Sequence, residues 1–302
     1  MNPRVGIVIL NWNGGERTRT CVESALAQTH LNRFVIVVDN ASSQREQEDL
    51  RTSYAGHPLV QLLSLDRNYG YAGGNNAGIS LALRQHADMV LIATQDTRLY
   101  PDALARLVQT AVENPRVGVV GPLVVDTRSQ RVLSCGERYS TPLLCVPRTL
   151  LRHRQTYHPC YPVGGILGCA MLLTRELIET VGCFDEGLFA YYEEVDLCLR
   201  ARRQSFAVAC NPQAVVVHDG LRGFGSGMTP LSAELKTRNL LRLMRRYARR
   251  RDWLLLAPSC ALLLLGSSAL YGLRGRVDIV AALLRGFSAG VSGNKGPVAV
   301  SV

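Results

Sequence analysis

Lysine is almost missing from this 302-residue chain: Lys236 and Lys295 are the only two, so the net charge of +10 is carried by arginine. Paired cysteine motifs are missing too. The nine cysteines are odd in number and never spaced C-x-x-C, which excludes a zinc ribbon or a redox dithiol and leaves buried free thiols in a reducing compartment. No G-x-G-x-x-G follows the first apolar run, where Gly14-Gly15 stands instead, and this argues against NAD or FAD chemistry. The apolar run at 5–10 is too short for a secretory signal core and turns polar at once in Asn11-Trp12-Asn13, so a first strand is expected there. With 47% hydrophobic residues, the chain is neither disordered nor a small stapled domain. It is long enough for a catalytic domain with a helical appendage.

Apolar runs at 5–10, 34–38, 60–65 and 89–93 alternate with helix-compatible stretches at 16–28, 75–86 and 101–113. Such alternation predicts an α/β fold with a parallel sheet covered on both faces and ligands at the carboxyl ends of the strands. Residues 126–165 carry scattered Pro, Gly and Arg, expected as a hairpin and a long loop for substrate contacts. Regular structure is expected again at 168–174 (strand), 175–181 and 193–204 (helices), and 206–210 and 214–217 (strands), before a Gly-rich loop at 219–227. From 232 the character changes. Arg238, Arg242, Arg245, Arg246, Arg249, Arg250 and Arg251 load one predicted helix, nineteen uncharged residues follow at 253–271, and a shorter apolar helix lies around 279–284. This divides the chain into a domain at 1–230 and a basic, apolar helical region at 231–302.

Five segments offer chemistry. Asp39, with Asn40 after the second strand, can accept hydrogen bonds from a nucleobase or ribose, or simply cap a turn with Ser42 and Ser43. Asn68-Tyr69-Gly70-Tyr71-Ala72-Gly73-Gly74-Asn75-Asn76 lets backbone approach a ligand and opens a helix whose N–H groups suit an anion. Asp96, in Thr94-Gln95-Asp96-Thr97, can hold a divalent cation or enter a turn before Pro101. Glu193, Glu194 and Asp196 place three carboxylates within four residues, with Glu193 and Asp196 on one helix face. They repel unless a cation, an arginine or a proton relieves them, although a helix N-terminus also favours negative charge. His218 becomes a credible metal ligand only if it meets Asp96.

Taken in order, these segments resemble glycosyltransferase family 2, in its bacterial rhamnosyltransferase-like subgroup. The wording that carries the resemblance is Val8-Ile-Leu-Asn-Trp-Asn-Gly14, Val38-Asp-Asn-Ala-Ser-Ser43, the 68–76 segment, Gly182-Cys-Phe-Asp-Glu186 and Tyr191 to Arg200. The resemblance implies a GT-A fold: a Rossmann-like, mostly parallel sheet with helices on both faces, here followed by a C-terminal helical membrane-associating segment. It implies a nucleoside-diphosphate sugar bound by Asn11, Asn13, Asp39, Asn40, Asn68, Gly70, Gly74, Asn75 and Asp96. It implies Mg2+ or Mn2+ held by Asp96 and His218, and an inverting displacement with Glu194 as general base, supported by Glu193 and Asp196. Two positions depart from the family pattern: Glu194 stands for aspartate, and Thr94 for the Asn or Asp of the metal element.

Two other readings compete, a sugar-phosphate nucleotidyltransferase and a non-catalytic nucleotide-sugar-binding protein. The first would need a basic, Gly-rich first loop to grip a triphosphate, and 11–16 has no lysine. The arginine run beside the uncharged stretch is expected to bind an anionic membrane surface through 238–271 on the cytoplasmic side, with no role for nucleic acid. For 253–271 an interfacial or re-entrant anchor is expected rather than a full span, the alternative being a buried core helix. The protein is thus expected as a peripheral or monotopic enzyme of the inner membrane face, with a lipid-linked or polysaccharide acceptor.

Overall fold

A computed structural model describes residues 2–138, 160–219 and 228–293, together with the backbone of 148–149. The chain divides into two compact units: Met1–Arg138, Thr149–Glu186 and Glu193–Gly220 form one; Tyr139–Arg148, Gly187–Tyr192 and Leu221–Val302 form the other. Among the described residues before the expected boundary near 230, Gly187–Tyr192 groups with the C-terminal helices.

In the first unit, β1 (Val5–Asn11), β2 (Arg33–Asp39), β3 (Val60–Ser64) and β4 (Met89–Thr94) run parallel in the order β4-β1-β2-β3. β1, β2 and β4 are buried almost throughout, which is why their sequences are runs of Val, Ile and Leu rather than alternating patterns. Asn11 pairs in register with Asp39, and Leu10 with Thr94, so the carboxyl ends of three strands are level and present their polar residues along one edge. Beyond β4 the sheet departs from a purely parallel pattern. β5 (Thr97–Leu99), β6 (Val117–Asp126) and β7 (Val132–Ser134) follow in the chain, then the two-residue strands β8 (Glu137–Arg138), β9 (Arg148–Thr149) and β10 (Tyr161–Pro162). β11 (Ala170–Thr174) runs antiparallel between β4 and β6, and β12 (Ala207–His218) runs parallel to β6.

Helices α1 (Glu16–Leu26), α2 (Gln44–Tyr54), α3 (Gly70–Arg84), α4 (Ala103–Glu113), α5 (Arg175–Val181) and α6 (Glu193–Arg203) complete this unit. α3 begins five residues earlier than the expected Asn75, so the glycines of the 68–76 segment lie inside the helix. Their use is close packing. A Cβ on Gly78 would stand 2.4 Å from Val8 Cγ1 and 2.9 Å from Val38 Cγ2, and one on Gly74 would stand 2.4 Å from Leu10 Cδ1. Only glycine lets α3 lie this near the sheet. Gly70 alone needs the left-handed region, with φ 72°. The two strands expected at 206–210 and 214–217 are one strand, interrupted by an irregularity between Asn211 and Val215. Most of the expected loops, at 139–147, 150–159 and 220–227, lie outside the described residues.

The second unit contains α7 (Pro230–Tyr247), α8 (Trp253–Leu273) and α9 (Val277–Ser292). Thr229 and Ser232 cap α7 reciprocally, with Pro230 at the first helical position. α9 approaches α7 through small residues: a Cβ on Gly286 would lie 2.4 Å from the Glu234 carbonyl oxygen, and one on Gly290 would lie 2.8 Å from Leu241 Cβ. The arginines do not all lie on one helix, as the sequence led us to expect. α7 ends at Tyr247; Arg238 is buried and bonds to main-chain carbonyls, and Arg242 and Arg245 bond to carbonyls as well. α8 is the one described helix long and apolar enough to cross a membrane, and only 6% of its most apolar stretch is buried. Leu254, Leu255, Leu262, Leu263, Leu265, Leu270 and Leu273 are all exposed on it.

Candidate active site

The level ends of β1 and β2 build a polar cradle. Asn11 is fully buried and uses its whole hydrogen-bonding capacity: Nδ2 donates to Asp39 Oδ1 and Ser42 Oγ (both 3.0 Å), and Oδ1 accepts from Thr18 Oγ1 (2.6 Å) and the Gly14 N–H (3.2 Å). These bonds tie the Asn11 side chain to Asp39 and to the start of α1. Asp39 is 3% exposed, and its Oδ2 has no partner among the described residues. An orphaned buried carboxylate oxygen costs free energy, on the order of 1–3 kcal/mol or more, unless a ligand relieves it.

Asn40 ties this edge to α3. Its Nδ2 donates to Asn68 Oδ1 (2.9 Å) and the Gly70 carbonyl (3.0 Å), and its Oδ1 accepts from the Tyr69 N–H (2.9 Å). Asn68 Oδ1 also accepts from the Gly70 N–H at 2.8 Å. Asn13 is exposed, with φ 51°, and accepts from the Ser43 N–H at 2.9 Å. Asn75 is fully buried; Nδ2 donates to the Tyr71 carbonyl at 2.9 Å and Oδ1 has no partner among the described residues. Gly74 packs closely on Leu10 and Asn40.

A second group gathers around Gly168 and Cys169, just before β11. On one side the Cys169 carbonyl accepts from the Thr94 N–H (3.0 Å) and Thr97 Oγ1 (3.1 Å), which fixes the turn carrying Asp96. Asp96 Oδ1 lies 3.3 Å from His218 Nε2. Burial opposes ionisation of Asp96, but the hydrogen bond and charge of His218, with a further bond from Thr94, outweigh it and bring the carboxyl down to about 2. The convergence of Asp96 and His218 that the sequence required is thus met. Two donors on one octahedral cation with bonds of about 2.1 Å stand roughly 3 Å apart, so this pair fits Mg2+ or Mn2+ as two of its ligands. His218 Nδ1 is buried without a partner, and among the described residues no group of three His, Cys, Asp or Glu could hold a metal. A cation here takes its remaining ligands from elsewhere.

On the other side of Gly168 stand Tyr71 and the acid pair. Tyr71 Oη donates to the Gly168 carbonyl at 2.5 Å, and a Cβ on Gly168 would lie 3.3 Å from Tyr71 Oη and 3.5 Å from Glu194 Cβ. Glu193 is 5% exposed, with Oε2 unpartnered among the described residues, whereas Glu194 is half-buried. Burial, then repulsion from Glu194, pushes the Glu193 carboxyl well above the usual range. Burial and the same two carboxylates raise the Tyr71 hydroxyl. Asp196 shares the buried side with Glu193, as the helical spacing required, but Arg200 occupies it: Nε donates to Asp196 Oδ2 at 2.7 Å, while Nη1 and Nη2 donate to the carbonyls of Val181 and Cys183 at 2.7 and 2.6 Å. Across the same segment, Asn76 donates to the Phe184 carbonyl and accepts from the Phe184 N–H, both at 3.0 Å.

The model of Glycosyl transferase family 2 matches residues 6–182. The chain belongs to glycosyltransferase family 2. It is 25% identical over 221 residues to the dTDP-rhamnosyl transferase RfbF of Shigella flexneri, covering 72% of this chain and 70% of the relative. It is 27% identical over 247 residues to the N-acetylglucosaminyl-diphospho-decaprenol L-rhamnosyltransferase of Mycobacterium tuberculosis, covering 75% and 78%. Among solved structures, the mannosyltransferase PcManGT of Pyrobaculum calidifontis, in complex with GDP-Man and Mn2+, superposes with a TM-score of 0.58 at 19% identity, over 97% of this chain and 88% of that one. GalNAc-T7 with UDP, GalNAc and Mn2+ gives a TM-score of 0.61 at 16% identity, over 78% of this chain and 47% of that one. These likenesses establish the GT-A fold of this family 2 glycosyltransferase, mostly parallel sheet included. Tyr71, Gly168, Asn76 and Arg200 were not singled out from the sequence, because their partners lie 17 to 108 residues away and the acceptors are main-chain atoms.

Proposed function

We propose that this family 2 enzyme is an inverting transferase that moves a hexosyl or rhamnosyl group from a nucleoside-diphosphate sugar to a hydroxyl of a lipid-linked or polysaccharide acceptor. The observation that carries the reading is the arrangement about Gly168 and Cys169, with the acid pair on one side and the Asp96–His218 pair on the other. The unpartnered Asp39 Oδ2 accepts a donor group of the base or ribose, and Asn11, Asn40 and Asn68 keep that edge rigid. Asp96 and His218 hold Mg2+ or Mn2+, which when bound neutralises the diphosphate. Glu194 takes the proton of the acceptor hydroxyl as its oxygen attacks the anomeric carbon. The glycosidic bond to phosphate breaks, and its electron pair leaves with the nucleoside diphosphate. Glu193, its carboxyl pushed up by burial and by the charge of Glu194, supports the base from the buried side of the pair. Asp196 is assigned to anchoring Arg200, not to the acceptor. The names of the rhamnosyltransferase relatives support the donor class and a lipid-diphosphate acceptor.

A panel of UDP-, dTDP- and GDP-sugars, offered with lipid extract and read by mass spectrometry and by the anomeric configuration of the product, tests this. Transfer with inversion is expected; retention, or pyrophosphate release from sugar phosphate and a nucleoside triphosphate, would overturn it.

We further propose that the exposed leucines of α8, with Arg250, Arg251 and Arg274 at its ends, seat the enzyme on the anionic inner face of the membrane. Sedimentation with anionic vesicles is expected, and Leu262→Glu with Leu265→Glu should release the protein. Unchanged binding by that double variant would sink the idea.

A further inference from the structure

Glu193 follows directly on the segment Gly187–Tyr192, whose backbone is unusual. Phe189, Tyr191 and Tyr192 have φ values of 64°, 72° and 72°. This left-handed region brings Cβ against the backbone and is avoided by bulky L-residues. Three such residues within four persist only where surrounding contacts over-determine them. Those contacts come from α7. Asn239, fully buried, donates from Nδ2 to the carbonyls of Leu188, Ala190 and Tyr191 at 2.8, 2.8 and 2.9 Å. Arg238, 2% exposed, donates from Nη2 to the carbonyls of Leu188 (3.0 Å) and Gly187 (3.3 Å). Its Nε donates to Asn239 Oδ1 at 3.0 Å, which orients the amide so that Nδ2 faces the loop. Arg242 donates to the Gly187 carbonyl, and the Lys236 ammonium lies 4.7 Å from the centre of the Tyr191 ring.

Apart from the Arg238–Asn239 bond and the Lys236 contact, all of these run from a side-chain donor to a main-chain carbonyl. They therefore recognise the path of the backbone rather than the side chains it carries. A surface patch would have no need of a buried guanidinium and amide aimed at four carbonyls of one strained loop.

We propose that Arg238 and Asn239 are positioning residues for the reaction: they hold Gly187–Tyr192 in the left-handed path that sets where Glu193 and Glu194 enter the first turn of α6. This rests on Glu194 as the base. The C-terminal helices then serve catalysis as well as anchorage, and part of the arginine run is spent on the loop instead of on lipid.

The test uses the full chain and the donor found active in the panel. Asn239→Asp keeps the side-chain shape but turns an oxygen toward three carbonyls; Arg238→Lys keeps the charge and loses the fork. Both are assayed for kcat and donor KM, with concentrations set by nucleoside-diphosphate binding sites, so that unfolded protein does not count. Misplacing a reacting group by about 1 Å can cost on the order of 100-fold in rate, and a loss of kcat of that size is expected for Asn239→Asp. Nucleotide affinity should stay within about twofold. Wild-type kcat in binding-competent Asn239→Asp would overturn the proposal. If Asn239→Asp binds no nucleotide, Arg238→Lys decides by the same criterion. Glu194→Gln, run in parallel, separates two kinds of failure. An active Glu194→Gln removes the base assignment itself; an inactive Glu194→Gln beside fully active clamp variants removes only the clamp.

Discussion

The Asp39 cradle and the Glu193–Glu194 pair are both buried acidic positions at the same sheet, yet they are held in opposite ways. Around Asp39 the scaffold comes from Asn11, Asn40, Ser42, Asn68 and Gly70, and nearly every polar atom has a partner. One carboxylate oxygen is left over, pointing to a group that arrives from outside. Around the acid pair the neighbours are Tyr71 and Gly168, and two carboxylates remain close enough for each to oppose the other's charge. The first is a closely hydrogen-bonded edge with one carboxylate oxygen unpartnered among the described residues. The second keeps two carboxylates in electrostatic contact, which pushes the Glu193 carboxyl up.

Breaking each side should give different losses. Glu194→Gln should lower transfer about 10²- to 10⁴-fold, the usual contribution of a general base, as read by product formation under saturating donor. Asp39→Ala should weaken nucleoside-diphosphate binding about 10- to 100-fold, the worth of hydrogen bonds to a charged group, measured by calorimetry. Gly78→Val should destabilise the fold by about 1–3 kcal/mol without altering which nucleotide binds, since its side chain would collide with Val8 and Val38; thermal unfolding reports it. Glu193→Gln should give the smallest effect. Burial and the charge of Glu194 push the Glu193 carboxyl up, so Glu193 keeps its proton while Glu194 ionises, and its neutral isostere should leave the acid limb of the pH–kcat/KM profile in place; a limb moved downward would show that Glu193 is charged while Glu194 titrates.

The contrast also explains what could be read from the chain. Asp39 and Asp96 were visible because each ends an apolar run, and parallel strands deliver such ends to a ligand. The 68–76 segment was legible as unusual, but its glycines were read as a turn before the helix, since sequence does not show that Leu10 presses on Gly74, nor Val8 and Val38 on Gly78, inside α3. Asn11 was expected at the nucleotide; its four filled hydrogen bonds could be seen only once Thr18, Asp39 and Ser42 were folded around it. The antiparallel β11, which brings Gly168 to Tyr71 and Glu194, has the same apolar signature as its parallel neighbours. The arginines after 238 looked like a membrane surface because charge is legible and burial is not; Arg238 and Asn239 proved to be among the most buried polar residues of their helix.

The split of roles between the two acidic sites is tested most directly by titrating Glu194→Gln with UDP, dTDP and GDP in a calorimeter, in the presence of Mn2+. Binding of the preferred nucleotide with wild-type affinity by this transfer-deficient protein is the predicted result. Loss of that binding would place Glu194 in the nucleotide site and contradict the account.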